Sequence, residues 1–130
     1  MGHLYVLEFS DGSIKVGHAN EPAKRVISSA RDIAGRCGVS LTQRWVSQAH
    51  EGSEMTGKQL IHWACCNGRP VFGFRGVFTD LTFAEAVATA KRTIATQELL
   101  IASFTTDIRQ LMPGTFAYRL RHAALGSINP

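Results

Sequence analysis

HLYVLEFSDGSIKVGHANEPAKR, residues 3–25, is the stretch whose reading decides the fold. Two short apolar runs, LYVLEF and SIKVG, flank Ser10-Asp11-Gly12 and predict a β-hairpin. Asn20-Glu21-Pro22 then reads as a helix start, with Lys24 and Arg25 in the first turns. Alternation puts Tyr5, Leu7 and Phe9 on one face of the first strand, and Ser13, Lys15 and Gly17 on one face of the second. The turn decides how those faces combine. A two-residue Asp11-Gly12 loop would pair Glu8 with Lys15 and leave Tyr5 on the opposite face from Lys15. A three-residue loop, Ser10-Asp11-Gly12 with Gly12 left-handed and a bulge, shifts the register by one and sets Tyr5 and Lys15 on a common face. The three-residue loop, or another bulge of the same parity, is the expectation. With Arg25 brought back by the helix, it gathers a phenol, an ammonium and a guanidinium, a set suited to a phosphate.

Working outward, the first helix is expected over Glu21–Ala34, stopped by Gly35 and Gly38, with Ala23, Val26, Ala30 and Ile33 as its apolar stripe. Lys24 points away from that stripe, while Arg25 and Asp32 lie at its edge. VSLTQRWVSQ (39–48) reads as a third strand with Trp45 in the core. A second helix follows over Ser53–Cys66, buried along Gly57, Leu60, Trp63 and Ala64. Glu51 and Glu54 stand at its start; Glu54 falls at the edge of the apolar stripe, within reach of an i,i+4 pair with Lys58.

RPVFGFRGVFTDL contains Pro70, Gly73 and Gly76 among its phenylalanines and reads as a loop leading to a short strand at Val77–Thr79. Thr82-x-x-Glu85 is a capping box that starts a third, alanine-rich helix, with a break expected near Thr93–Thr96. Thr105 or Thr106 caps a further short helix ended by Pro113-Gly114, and TFAYRLRHAALG reads as a last helix or a segment that folds on binding. The fold class is therefore α/β of the α+β kind: a small antiparallel sheet of about three strands flanked by helices. A core over residues 1–95 carries a helical C-terminal extension over 96–130.

Net charge is +4, a mild bias toward polyanionic partners, and no acidic residue follows Asp107 while Arg109, Arg119 and Arg121 do. No run approaches the ~20 apolar residues of a membrane span, and MGHLYVLEFSDG lacks the basic and apolar regions of a signal peptide. Three cysteines, an odd number without an export signal, point to reduced thiols in a cytoplasmic protein. His62-x-x-Cys65-Cys66 lacks partners for a zinc site, so buried, structural cysteines are expected.

The order of these residues is similar to the GIY-YIG endonuclease family, and closest to a branch common in phage and mobile-element proteins whose second signature reads Lys-Ile-Gly. His3-Leu4-Tyr5 stands at the first signature, Lys15-Val16-Gly17 at the second, Arg25 at the first-helix arginine and Glu54 at the metal-binding glutamate. The resemblance covers residues 3–92 and departs from the pattern at His3, where the signature has glycine. It implies metal-dependent hydrolysis of DNA phosphodiesters. Glu54, with Glu51 as its alternative, would hold Mg2+ or Mn2+, and Tyr5 would serve as or assist the general base with cationic help from Lys15 or the metal. Arg25 would stabilise transition-state charge, Gly17 would allow close backbone approach, and His18 is a candidate proton carrier. Lys24, Arg31, Arg119 and Arg121 are the DNA-binding candidates that accompany this reading. The alternative is a catalytically weak or inactive module of the same fold that binds nucleic acid or a protein partner. The C-terminal helices are left as a DNA-binding tail, a homodimer contact or a cover for the sheet.

Overall fold

The computed structural model describes residues 1–110, with side chains through 104. Its class is α+β: a five-stranded antiparallel sheet with three helices among the described residues. The elements run β1 (His3–Phe9), β2 (Ile14–Ala19), α1 (Pro22–Cys37), β3 (Leu41–Val46), α2 (Ser53–Asn67), β4 (Arg69–Pro70), β5 (Val77–Thr79) and α3 (Phe83–Gln110). The strand order is β3-β1-β2-β5-β4, so the hairpin forms the middle of the sheet.

The hairpin has the three-residue loop. Phe9 N–H donates to Ser13 O at 3.0 Å, Gly12 N–H donates to Phe9 O at 2.8 Å, and Gly12 has φ of 85°. Asp11 steadies the turn by accepting from the Ser13 N–H at 3.0 Å and the Ser13 hydroxyl at 2.6 Å. Those two bonds hold its carboxyl below the usual carboxylate range. The register pairs Tyr5 with Gly17, Leu7 with Lys15 and Glu8 with Ile14. Directly paired residues of an antiparallel ladder share a face, so Tyr5, Leu7, Lys15 and Gly17 all look the same way. Glu8 instead turns to β3, where its Oε1 accepts from Thr42 Oγ1 at 2.8 Å and Gln43 Nε2 at 3.1 Å.

Each sheet face has its own core. On one, Leu4, Val6, Ile14 and Val16 pack with Leu60 and Ala64 of α2 and with Ala86 and Ala90 of α3. On the other, Tyr5, Leu7, Phe9 and Val77 pack with Val26 and Ile33 of α1. The helix α1 starts with Pro22 at its N-terminus and runs past Gly35 to Cys37. It stops where Gly38 takes the left-handed conformation (φ of 68°) and donates its N–H to Ala34 O at 2.9 Å. The expected stop at Ala34 is therefore three residues short: a glycine ends a helix where it adopts positive φ, and Gly35 does not.

Other expectations are corrected. The sheet gains β4 and a longer reach, because the chain around Arg69–Pro70 pairs with β5. No break interrupts α3 near Thr93–Thr96, and Thr105 and Thr106 lie within it rather than capping a new helix. Thr82 caps the start of α3, Glu85 N–H donating to Thr82 Oγ1 at 3.1 Å. Trp45 and Trp63 are half-buried at the core margin. Cys37, Cys65 and Cys66 are exposed, not buried, since the two on α2 follow Ala64 around the helix to its outer side. A first compact unit ends at Ile94, and a second begins at Ala95. Arg119, Arg121 and the closing segment lie outside the described residues. No helix among the described residues is long and apolar enough to cross a membrane.

Candidate functional site

The face shared by Tyr5 and Lys15 is the one α1 covers, and there the residues meet. Tyr5 is 3% exposed, and its phenol lies where a Gly17 side chain would be. A Cβ added at Gly17 would stand 2.6 Å from Tyr5 Oη and 2.8 Å from Cζ. Gly17 is thus required by the phenol, not by the backbone of a ligand. The Tyr5 hydroxyl shares a hydrogen bond with the Ser29 side chain and feels the Arg25 guanidinium. Burial outweighs both and raises its pKa above the ordinary 10.0, so at neutral pH Tyr5 is a neutral phenol. The cation that acts on it is Arg25 on α1. Tyr5 is not poised as a phenolate: its hydroxyl is buried and bonded to Ser29.

Lys15 is half-buried, with Nζ donating to the backbone carbonyl of Arg75 at 2.5 Å. Burial, then Arg25 and Arg75, lower its pKa below 10.5, with Asp32 partly opposing. Crowded cations of this kind favour an anion, which relieves their mutual repulsion. Next to it Gly76, at φ of 72°, passes so close that a Cβ there would meet Val16 O at 2.8 Å and Lys15 Nζ at 2.9 Å.

Lys15 opens into a groove of about 370 Å3 that Arg25, Ser29, Asp32, Arg36 and Arg75 also line; the buried Tyr5 hydroxyl touches its lining through Ser29. Arg25 also borders a wider hollow of about 520 Å3 beside Ala19, Asn20 and Lys24. Arg36 is fixed at the rim from three sides. It pairs with Asp32 at 3.6 Å, donates to Gly73 O at 3.3 Å, and lies 4.1 Å from the centre of the Phe74 ring.

The other candidates stand elsewhere. His18 faces the α2 side, against Gly57, where an added Cβ would come within 2.7 Å of its Cδ2. Lys24 is exposed and paired with Glu21 at 3.2 Å; Arg31 is exposed on α1. Glu54 belongs to α2, which packs on the sheet face opposite Tyr5 and Lys15. Its carboxylate, 74% exposed, lies 3.6 Å from Lys58. Such a surface pair is worth only a few tenths of a kcal/mol. A hard divalent ion that keeps most of its water needs little more than one such carboxylate and substrate oxygens. Glu54 is a single carboxylate on the helix that covers the sheet face opposite the phenol. No group of three or more His, Cys, Asp or Glu side chains placed to hold an ion occurs among the described residues.

Sequence reasoning placed Asp32 beside Arg25 at the edge of the α1 stripe but did not assign Ser29, Asp32, Arg36 or Arg75 to the site. The first three follow Arg25 at intervals of four, seven and eleven, a polar stripe along one side of α1. Arg75 sits in an aperiodic loop and gave no such signal. The chain matches no protein-family model, and comparison with curated proteins and with solved structures returns no significant match.

Proposed function

We propose that this chain handles DNA phosphodiesters at the groove between β2 and α1, as a metal-dependent endonuclease of the GIY-YIG type in the cytoplasm. The observation that carries this reading is the hairpin register, which sets Tyr5 beside Gly17 and Lys15 beside Leu7 on the face of α1. Lys15 and Arg25 hold the non-bridging oxygens of a backbone phosphate, and Arg25 stabilises charge as it grows there. The neutral Tyr5 phenol, steadied by Ser29, orients the attacking water or donates to the phosphate. When bound, Mg2+ or Mn2+ would supply polarisation of the phosphoryl oxygen; the family resemblance assigns the ion to Glu54, on the helix that covers the opposite sheet face.

A second reading, nucleic-acid binding without cleavage, is favoured by the position of Glu54 on the opposite face beside Lys58. Plasmid nicking in Mg2+ and Mn2+ separates the two. The endonuclease reading expects cleavage by the wild type that falls at least about a hundredfold in Tyr5→Phe and Glu54→Ala, the scale of losing a positioned catalytic group. Binding without cleavage on single-stranded, duplex and branched DNA supports the second reading. Cleavage that survives both substitutions removes the site assignment.

A further inference from the structure

The loop that walls the groove carries an aromatic ring that its own core leaves outside. Val71 and Phe74 pack against the α1-side core, while Phe72 between them is 101% exposed. Among the other described phenylalanines, Phe9 and Phe78 are buried and Phe74, Phe83 and Phe104 are partly buried. Burying a phenylalanine is strongly stabilising, so leaving one fully in water forgoes that stabilisation.

The exposure is held in place by the turn. Phe74 N–H donates to Val71 O at 3.3 Å, closing a tight turn around Phe72-Gly73, and Gly73 has φ of 83°, the positive value such a turn requires after its corner. At the base of the loop Val71 N–H donates to Val77 O at 2.9 Å. On the groove side Arg36 bonds Gly73 O and covers the Phe74 ring. Phe72 is therefore the tip of a tethered corner, one peptide (about 3.8 Å between Cα atoms) from Gly73, which itself lines the cationic groove.

We infer that the groove takes single-stranded nucleic acid, with a backbone phosphate between Lys15 and Arg25 and an unstacked base on the ring of Phe72. This rests on the phosphate reading of the groove and narrows its substrate. Cations alone would accept any polyanion. An exposed ring one residue from the groove wall adds a face on which an unpaired base can stack, whereas the bases of a duplex are stacked on one another.

Fluorescence anisotropy on the whole chain tests it, using a labelled single strand of about a dozen nucleotides, the same strand with abasic residues, and the corresponding duplex. The wild type binds the base-bearing strand best. Phe72→Ala weakens that binding by about tenfold, the scale of one stacked base, leaves the abasic strand unchanged, and is rescued by Phe72→Trp. Lys15→Ala weakens all three probes. Tighter binding to duplex, or a Phe72→Ala loss equal on the abasic strand, overturns the inference while leaving the phosphate groove standing. Failure of the wild type to bind any probe overturns both. Because Phe72 is wholly exposed, its replacement does not disturb the core.

Discussion

Gly17 and Tyr5 form a single fitted unit, since the phenol occupies the space a side chain at residue 17 would need. Gly17→Ala should lower unfolding free energy by about 1–3 kcal/mol, the usual cost of overpacking a core. Adding Tyr5→Phe should cost less in that background than alone, because the hydroxyl is the atom in closest conflict; urea unfolding of the four chains reads the coupling. The titration of the site is also specific. Lys15 has its folded pKa lowered, so approaching 10.5 from below the unfolded chain holds more protons and stability rises with pH. Tyr5 has its folded pKa raised, so its contribution is intact below 10.0 and stability falls above it as the unfolded phenol ionises. Urea midpoints across alkaline pH should therefore lose the rise in Lys15→Met and the fall in Tyr5→Phe. Sequence alone named Tyr5, Lys15 and Arg25 because strand alternation and helix phase fix where such side chains point. It left the state of the phenol open, because burial, which dominates there, belongs to the assembled core.

At the scale of elements, the hairpin turn carries the site. Gly12 has positive φ and open space around it, so a side chain there meets only backbone strain. Gly12→Ala should cost about 1 kcal/mol and Gly12→Asn less, with the register and groove retained; chemical denaturation with amide exchange across Phe9–Ser13 checks both. The turn was legible because Ser-Asp-Gly chemistry offers few loops, and chemistry at Tyr5 and Lys15 demands one parity. The end of α1 was less legible: Gly35 and Gly38 are equal as letters, and only the Gly38 conformation and its bond to Ala34 separate them. Two-residue β4 has no periodicity to read, and its pairing depends on β5 being beside it. The exposed cysteines of α2 follow a similar rule, because the helix has a weakly apolar sequence on several sides and its phase is set by what it packs against.

For the molecule as a whole, the two faces of the sheet make opposed predictions about where a nucleic acid lies. The α1 face gathers Lys15, Arg25, Arg36 and Arg75 around one groove, whereas the α2 face offers Glu54 paired with Lys58. Duplex binding that neutralises phosphates falls with salt at a log–log slope of about 0.9 per phosphate, and about 0.7 for a single strand. Lys15→Ala and Arg75→Ala should each reduce the slope by about one phosphate and weaken binding at low salt. Lys58→Ala should leave the slope as it is, because Lys58 does not line the groove. The net charge of +4 makes this comparison necessary, since a general positive field would weaken alike with every lysine removed. An equal loss from Lys58→Ala would place the strand on the α2 side beside Glu54 and take the groove out of the binding path.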